Sequence, residues 1–321
     1  MKIKNYDPKP KFVERINDLL ENEEDVSKFF DVAKTQPRKS IRCNTLKISP
    51  EELINRLKEK GWNVEQPFSN FPEIIIVKSE LNPGEIGKTK EHILGYYYVQ
   101  EITSMMPVIA LNPRSNENIL DLCAAPGSKT TQMASIMNNI GSIIANDVSI
   151  GRIRILVSNL EKCGVTNTIV VRHNAVELCE KFKKLKIKFD KILVDAPCSG
   201  EGNLRCSKRT LLEWSEGLLN SLSRKQKKIL SSAAELLKEN GEIIYSTCTY
   251  APEENESVIQ SLIDKNNFEA VPIYLPLKTR PGILEWKKEK YDKSLVNAKR
   301  IYHHDNDMEG FFVCKLKKKN L

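Results

Sequence analysis

No stretch of this sequence approaches the roughly 18 consecutive apolar residues that a membrane-spanning helix needs. Met1-Lys-Ile-Lys is followed by no apolar core of a secretory signal, so no signal peptide is expected. The eight cysteines include no C-x-x-C pair, and the four histidines do not fall at zinc spacing. No resident metal is therefore expected, and the cysteines are expected to be thiols in a cytoplasmic, reducing compartment. His303-His304 has Asp305 and Asp307 nearby but lacks helical ligand spacing, and it reads as a charged loop beside an active site. Internal repeats and long low-complexity segments are missing too.

What is there begins with length and charge. A chain of 321 residues holds one large or two ordinary domains and a sizeable core. The net charge is +8, and basic residues cluster in KFKKLKIKFDK (181–191), RKQKK (224–228) and KLKKK (315–319). Any one run can be a solvated face, but three runs and the net sign favour a polyanionic partner.

The periodicity divides the chain in two. Phe12, Ile16, Leu19 and Leu20 predict a helix over about 10–34, stopped by Pro37. SIRCNTLK (40–47) alternates like a strand, Ser49-Pro50-Glu51-Glu52 opens a capped helix, and EIIIVK (73–78) is a second strand. After about residue 105, NILDLC, SIIAND, TIVVRH, FDKILVDAP and EIIYSTCTY alternate with helical segments. One of these helices is placed near 218–239 and ended by Gly241. NFEAVPI and EGFFVCKL are late strands. Unbroken apolar strands alternating with helices argue for a parallel, doubly wound α/β sheet.

Such sheets bind ligands at the carboxyl ends of their strands. The first strand here ends in Asp121-Leu-Cys-Ala-Ala-Pro-Gly-Ser-Lys129. A P-loop is excluded because Ser128 separates Gly127 from Lys129 and Leu122 stands at the first glycine position. A dinucleotide fingerprint needs three glycines where this loop has one, and Pro126 removes an N–H. A nucleoside cofactor without a pyrophosphate, such as S-adenosylmethionine, suits the loop better. Asp121 could meet its ammonium group. Asp147, ending the second strand 26 residues later, could meet its ribose diol, or could merely cap a helix.

Cys198 in DAPCSGEG (195–202) and Cys248 in STCTY (246–250) end the fourth and fifth strands. Singly, each is more often a small buried residue than a nucleophile. Together on one polar rim, beside the titratable Asp195, they become candidates for chemistry.

DLCAAPGSKT (121–130), DAPCSGEG and STCTYAPEENE (246–256) resemble the cofactor loop, fourth-strand motif and catalytic motif of the Nop/Sun/Fmu family of RNA (cytosine-5)-methyltransferases. RCNTLK (42–47), YYYVQEITSMM (96–106) and DMEGFFVCKL (307–316) resemble its flanking motifs, so the resemblance covers nearly the whole chain. It implies a Rossmann-like S-adenosylmethionine-dependent methyltransferase sheet over 106–321, with a small N-terminal α+β, RRM-like domain over 1–105. Cys248 is implied as the nucleophile, Cys198 as the residue that assists release of the covalent adduct, and Asp195 as the group holding the base edge. Lys129 is implied to orient this rim. The implied cofactor contacts are Cys123, Ala124, Ala125, Pro126, Gly127, Ser128, Lys129, Asp147, Arg152, Asn174 and Asp195. Arg152 is equally readable as an RNA-side or a solvated residue. Asn174 stands where the family usually has aspartate. Tyr96, Tyr97 and Tyr98 are candidates for stacking on bases. The expected partner is RNA, tRNA ahead of rRNA, bound by a monomer with no membrane association. A non-catalytic RNA-binding protein on the same fold is the alternative, and the intact Cys248 and Asp195 argue against it.

Overall fold

The computed structural model describes residues 8–319 except 208 and 266, and the expectation drawn from Met1–Lys4 lies outside them. The first helical stretch is two helices, α1 (Pro10–Leu19) and α2 (Glu23–Ala33), not one. Asn22 restarts the helix: its side chain accepts the Asp25 N–H, and Glu23, Glu24 and Asp25 fill the first turn, where negative charge is favoured. Apolar spacing cannot reveal such a break. Phe12, Ile16 and Phe29 pack with Trp214, Tyr250 and Tyr302, far along the chain.

Next come β1 (Lys39–Cys43), α3 (Pro50–Glu59), β2 (Val64–Glu65), β3 (Ile74–Val77), the short α4 (Lys90–Ile93) and β4 (Tyr97–Val99). The four strands form an antiparallel sheet in the order β2-β3-β1-β4, a split β-α-β-β-α-β topology. Ser49 caps α3, with Pro50 in its first turn, as the sequence suggested. The unbroken IIIV run is explained by burial on both faces. Ile75 and Val77 pack with Leu53 and Leu57 of α3. Ile74 and Ile76 pack with Met105, Ile119 and Met133 on the other side. The face that an RRM offers to bases is in this way largely covered by protein.

The second part runs α5 (Met106–Leu111), β5 (Asn118–Asp121), α6 (Ser128–Ile136), β6 (Ser142–Asn146), α7 (Ile150–Cys163), β7 (Thr168–Val171), α8 (Ala175–Lys184), β8 (Phe189–Asp195), α9 (Arg209–Glu213), α10 (Glu216–Ala234), β9 (Leu237–Thr247) and α11 (Glu256–Ile263). It ends with β10 (Phe268–Val271), β11 (Arg280–Pro281), the hairpin β12 (Glu285–Trp286) and β13 (Glu289–Lys290), β14 (Lys299–Ile301), α12 (His303–Asn306) and β15 (Phe311–Lys318). Strands β7-β6-β5-β8-β9 are parallel, as expected. The sheet then turns mixed: β15 lies antiparallel to β9, and β10 and β14 antiparallel to β15. The connection from β14 to β15 carries only the one-turn α12, too short for a parallel crossover. Gly241 does not end α10, which stops at Ala234; it lies within β9. A Cβ there would stand 2.7 Å from the Leu237 side chain and 2.9 Å from the Asp190 carbonyl oxygen, so this glycine serves close approach of β8 and β9.

Candidate active site

The loop leaving β5 turns at Gly127, whose φ of 105° suits glycine and whose added Cβ would meet Leu156 Cδ1 at 2.8 Å. Asp121 is 1% exposed. Its Oδ2 accepts the Thr130 hydroxyl at 2.7 Å, and its Oδ1 has no partner. Burial pushes the Asp121 carboxyl up to about 7.

Two cavities open at the carboxyl ends of the parallel strands. One, of about 600 Å³, includes Asp147, Asn174, Pro197 and Cys198 in its wall. The other, of about 520 Å³, includes Tyr98, Asp121, Lys129, Asn203, Glu309 and Phe311. Cys123, Ala125, Arg152, Asp195 and Cys248 line both, so the cavities meet along this rim. Ala124, Pro126, Ser128 and Lys129 line only the second, and Gly127 lines neither. Two charges of RKQKK, Lys225 and Lys228, reach the first cavity. Lys191, by contrast, is buried beside Glu117 and is no part of a solvated basic face.

Asp147 does not cap α7; Ser149 does. The Asp147 carboxylate accepts the Ser149 N–H at 2.9 Å and pairs with Arg152 at 2.9 Å. Arg152 also donates to the Ala125 carbonyl, so it clasps the β5 loop to the end of β6 on the cavity side. Asn174 caps α8, its Oδ1 accepting the Val176 N–H at 3.0 Å.

Parallel pairing of β8 and β9 sets Asp195 opposite Ser246. The loops beyond bring Cys198 Sγ within 3.2 Å of Cys248 Sγ. Asn203 donates to Cys248 Sγ at 3.3 Å. The hydrogen bond between Cys198 and Cys248, together with burial, holds the Cys198 thiol well above the ordinary range. Burial likewise keeps Cys123 a thiol. Asp195 accepts from Ser246 Oγ at 2.8 Å and from Lys129 Nζ at 2.7 Å. Lys129 also donates to Ser104 Oγ at 3.1 Å and lies 5.2 Å above the Phe311 ring.

Other candidates fall elsewhere. His303 and His304 are not an active-site loop: they form α12 and anchor α2. His303 bonds the Phe29 carbonyl and the Tyr250 hydroxyl, both at 2.7 Å, and burial pushes its pKa down to about 3. His304 bonds Asp25. Tyr97 is buried with α3, Tyr96 lies under Arg56, and only Tyr98 reaches a cavity. Among the described residues no group of three His, Cys, Asp or Glu is placed to hold a metal, and no helix is long and apolar enough to cross a membrane.

The family described as 16S rRNA methyltransferase RsmB/F matches residues 108–317. The chain belongs to this family. The N-terminal domain of 16S rRNA methyltransferase RsmF matches residues 9–102. The chain is 38% identical over 309 residues to the tRNA (cytosine(49)-C(5))-methyltransferase of Pyrococcus abyssi, covering 96% of each. It is 38% identical over 311 residues to ribosomal RNA small subunit methyltransferase F of Psychromonas ingrahamii, but spans 62% of that protein. The fold matches a methyltransferase homolog protein of Pyrococcus horikoshii at TM-score 0.80 and 30% identity, over 97% of this chain and 100% of that one. It also matches NSun6 of Pyrococcus horikoshii with SFG, an S-adenosylmethionine analogue, at TM-score 0.81 and 25% identity, over 97% and 99%. S-adenosylmethionine is the cofactor of these RsmB/F-type enzymes. The residues present fit it: Asp121 keeps a buried oxygen without a partner, the small Ala124 and Ala125 line a cavity beside it, and Asp147 lines the adjoining one.

Sequence reasoning passed over Asn203, Ser246, Glu309 and Phe311. Each lies inside a motif quoted for its resemblance or just beyond one, so the signal was adjacency: Ser246 and Phe311 stand at the ends of β9 and β15, and Asn203 and Glu309 lie outside the strands and α-helices, where no periodicity marks them.

Proposed function

We propose that this protein transfers a methyl group from S-adenosylmethionine to carbon 5 of cytosine in tRNA. The observation carrying this reading is the pair of sulfurs 3.2 Å apart, facing the Lys129–Asp195 ion pair on one rim. The loop 121–128, Asp147, Arg152 and Asn174 would hold the cofactor, which supplies an electrophilic methyl group. The target base must leave its stack to enter the second cavity. Cys248, as thiolate, adds to carbon 6 and so makes carbon 5 nucleophilic. Lys129 and Asp195 hold the edge at N3 and the exocyclic amine and stabilise the charge that develops there. Cys198, kept protonated, donates its S–H toward Cys248 sulfur and helps that sulfur leave.

One comparison favours tRNA over rRNA. The relative named for tRNA is 38% identical over 96% of both proteins, whereas the match to the small-subunit rRNA relative covers 62% of that protein. The nine basic side chains of the 181–191 and 224–228 runs other than Lys191 suit RNA of either kind. The proposed working unit is a cytoplasmic monomer, with an RNA-contacting part over 1–105 and a methyltransferase part over 106–321. Mapping 5-methylcytosine in tRNA and rRNA from cells with and without the gene tests the reading. Loss of a tRNA mark is expected. Loss of an rRNA mark would transfer the substrate, and no loss in either would overturn the activity.

A further inference from the structure

One carboxyl in the second cavity stands apart from its neighbours. Glu309 is 4% exposed and lines the cavity with Cys248, Asp195 and Lys129. Neither of its oxygens accepts a hydrogen bond. Leaving buried polar atoms unpaired costs free energy, so such a group calls for a reason. Asp195 and Glu101, in the same wall, are fully engaged: Asp195 by Lys129 and Ser246, Glu101 by Thr103, Ser104 and the Glu309 N–H.

A short ladder fixes Glu309 beside the nucleophile. Gly310 N–H donates to the Gly202 carbonyl at 2.9 Å, and Gly202 N–H donates to the Cys248 carbonyl at 2.8 Å. Both glycines are demanded by this approach, since a Cβ on Gly202 would strike the Gly310 backbone and one on Gly310 would strike the Tyr250 ring. Glu309 does not line the cavity of Asp147 and Asn174.

We propose that Glu309 is the base that removes the carbon-5 proton from the methylated cytosine adduct. This rests on the cytosine-C5 reading above. With Cys248 bonded to carbon 6, carbon 5 carries both the new methyl group and its original hydrogen. The C5–H bond breaks and the proton passes to a Glu309 oxygen. The electron pair of that bond forms the C5=C6 double bond. The C6–S bond breaks, and its pair returns to Cys248 as thiolate. The base for this step must stand near the carbon bearing sulfur, and the Gly310–Gly202–Cys248 ladder sets Glu309 on that side of the rim. Burial holds its carboxyl up to about 7, opposed by the Cys206 thiol and Arg205 and helped by Glu101. The Cys206 thiol and backbone N–H both approach Glu309 and favour its charged form, but neither completes an aligned hydrogen bond, and the N–H is spent on the Asn203 carbonyl. Tyr250, itself held protonated by burial, is the other titratable neighbour, with Lys129 and Asp195 across the cavity. A group titrating near neutrality is suited to accept a proton there.

The test compares wild type with Glu309→Gln on two probes, ordinary bulk tRNA and tRNA containing 5-fluorocytosine, with labelled-methyl S-adenosylmethionine. Fluorine replaces the proton that must leave, so the second probe reports only the steps before release. Both proteins are expected to form the methylated, denaturation-resistant adduct with it at equal rates. On ordinary tRNA, Glu309→Gln should accumulate a methylated adduct, release product about 100-fold more slowly, and lose the rise of release rate with pH through neutrality. Glu309→Asp should recover part of the rate. Failure of Glu309→Gln to form the fluorinated adduct, or unchanged product release, would overturn the proposal. A wild type that forms no adduct with either probe would instead overturn the cytosine-C5 reading, and this proposal with it.

Discussion

The two cavities that meet at Asp195 and Cys248 differ in how their polar groups are satisfied. On the side of Asp147 and Asn174, each functional side chain already has a partner within the protein: Asp147 holds Ser149 and Arg152, and Asn174 caps α8. On the side of Lys129 and Glu309, one buried carboxyl, that of Glu309, has none. A satisfied wall is rigid without its ligand, at the cost of contacts that must be exchanged when the ligand arrives. An unsatisfied wall is completed only by the molecule that reacts. The first is suited to binding a reusable cofactor, and the second to recognising changes that occur during reaction.

The comparison breaks first at the sulfurs. Cys248→Ala is expected to abolish turnover and to leave no covalent tRNA adduct on a denaturing gel. Cys198→Ala should still attack and should accumulate the adduct. The reversed trapping pattern would exchange their roles while leaving the two-cavity division intact.

Lys129 sharpens the division. It lines only the reactive cavity and holds Asp195 at 2.7 Å. Lys129→Met should lower kcat/KM about 100-fold, the scale of losing one donor aimed at developing charge. The cofactor Kd, read by calorimetry, should change less than about twofold. A matching loss of cofactor affinity would show that the cavities act as one.

Asp147→Ala makes the converse case. Removing a buried carboxylate that hydrogen-bonds a ligand should weaken cofactor binding by about 10-fold or more. Adduct formation with 5-fluorocytosine tRNA at saturating cofactor should be unchanged. A slower adduct there would contradict the separation.

The parts legible in the sequence were those with an apolar run or a motif. Strands β5, β6, β8 and β9 read out because both of their faces are largely buried, which makes apolar runs unbroken, and the edge strand β7 carries the same apolar run although Ile169 is exposed. The shared rim of Cys248, Cys198, Asp195 and the 121–129 loop could be placed because strand ends in such sheets carry ligands, whereas their roles were implied only by resemblance. Illegible features depended on contacts distant in sequence or on local capping. Asn22 splits the first helix by a single side-chain bond. Arg152 clasps Ala125 across 27 residues. Gly241 resembles a helix stop, yet its role is set by a neighbouring strand. His303 looks exposed by composition and is fully buried because α2 folds back over it.

The smallest expected effect lies at Asn174. Its Oδ1 is committed to the Val176 N–H, which leaves its amide donors for a ligand in the cavity. Adenine presents an exocyclic amine, which needs an acceptor. Asn174→Asp would keep the cap, because aspartate and asparagine are equally good there. It would add a second acceptor oxygen and a charge favoured at the α8 N-terminus. Cofactor affinity is expected to rise about 2- to 5-fold, equivalent to about 0.4–1 kcal/mol, with adduct formation at saturating cofactor unchanged. An unaltered Kd would mean that Asn174 only caps its helix, and that the adenine end is held by the apolar wall of the cavity alone.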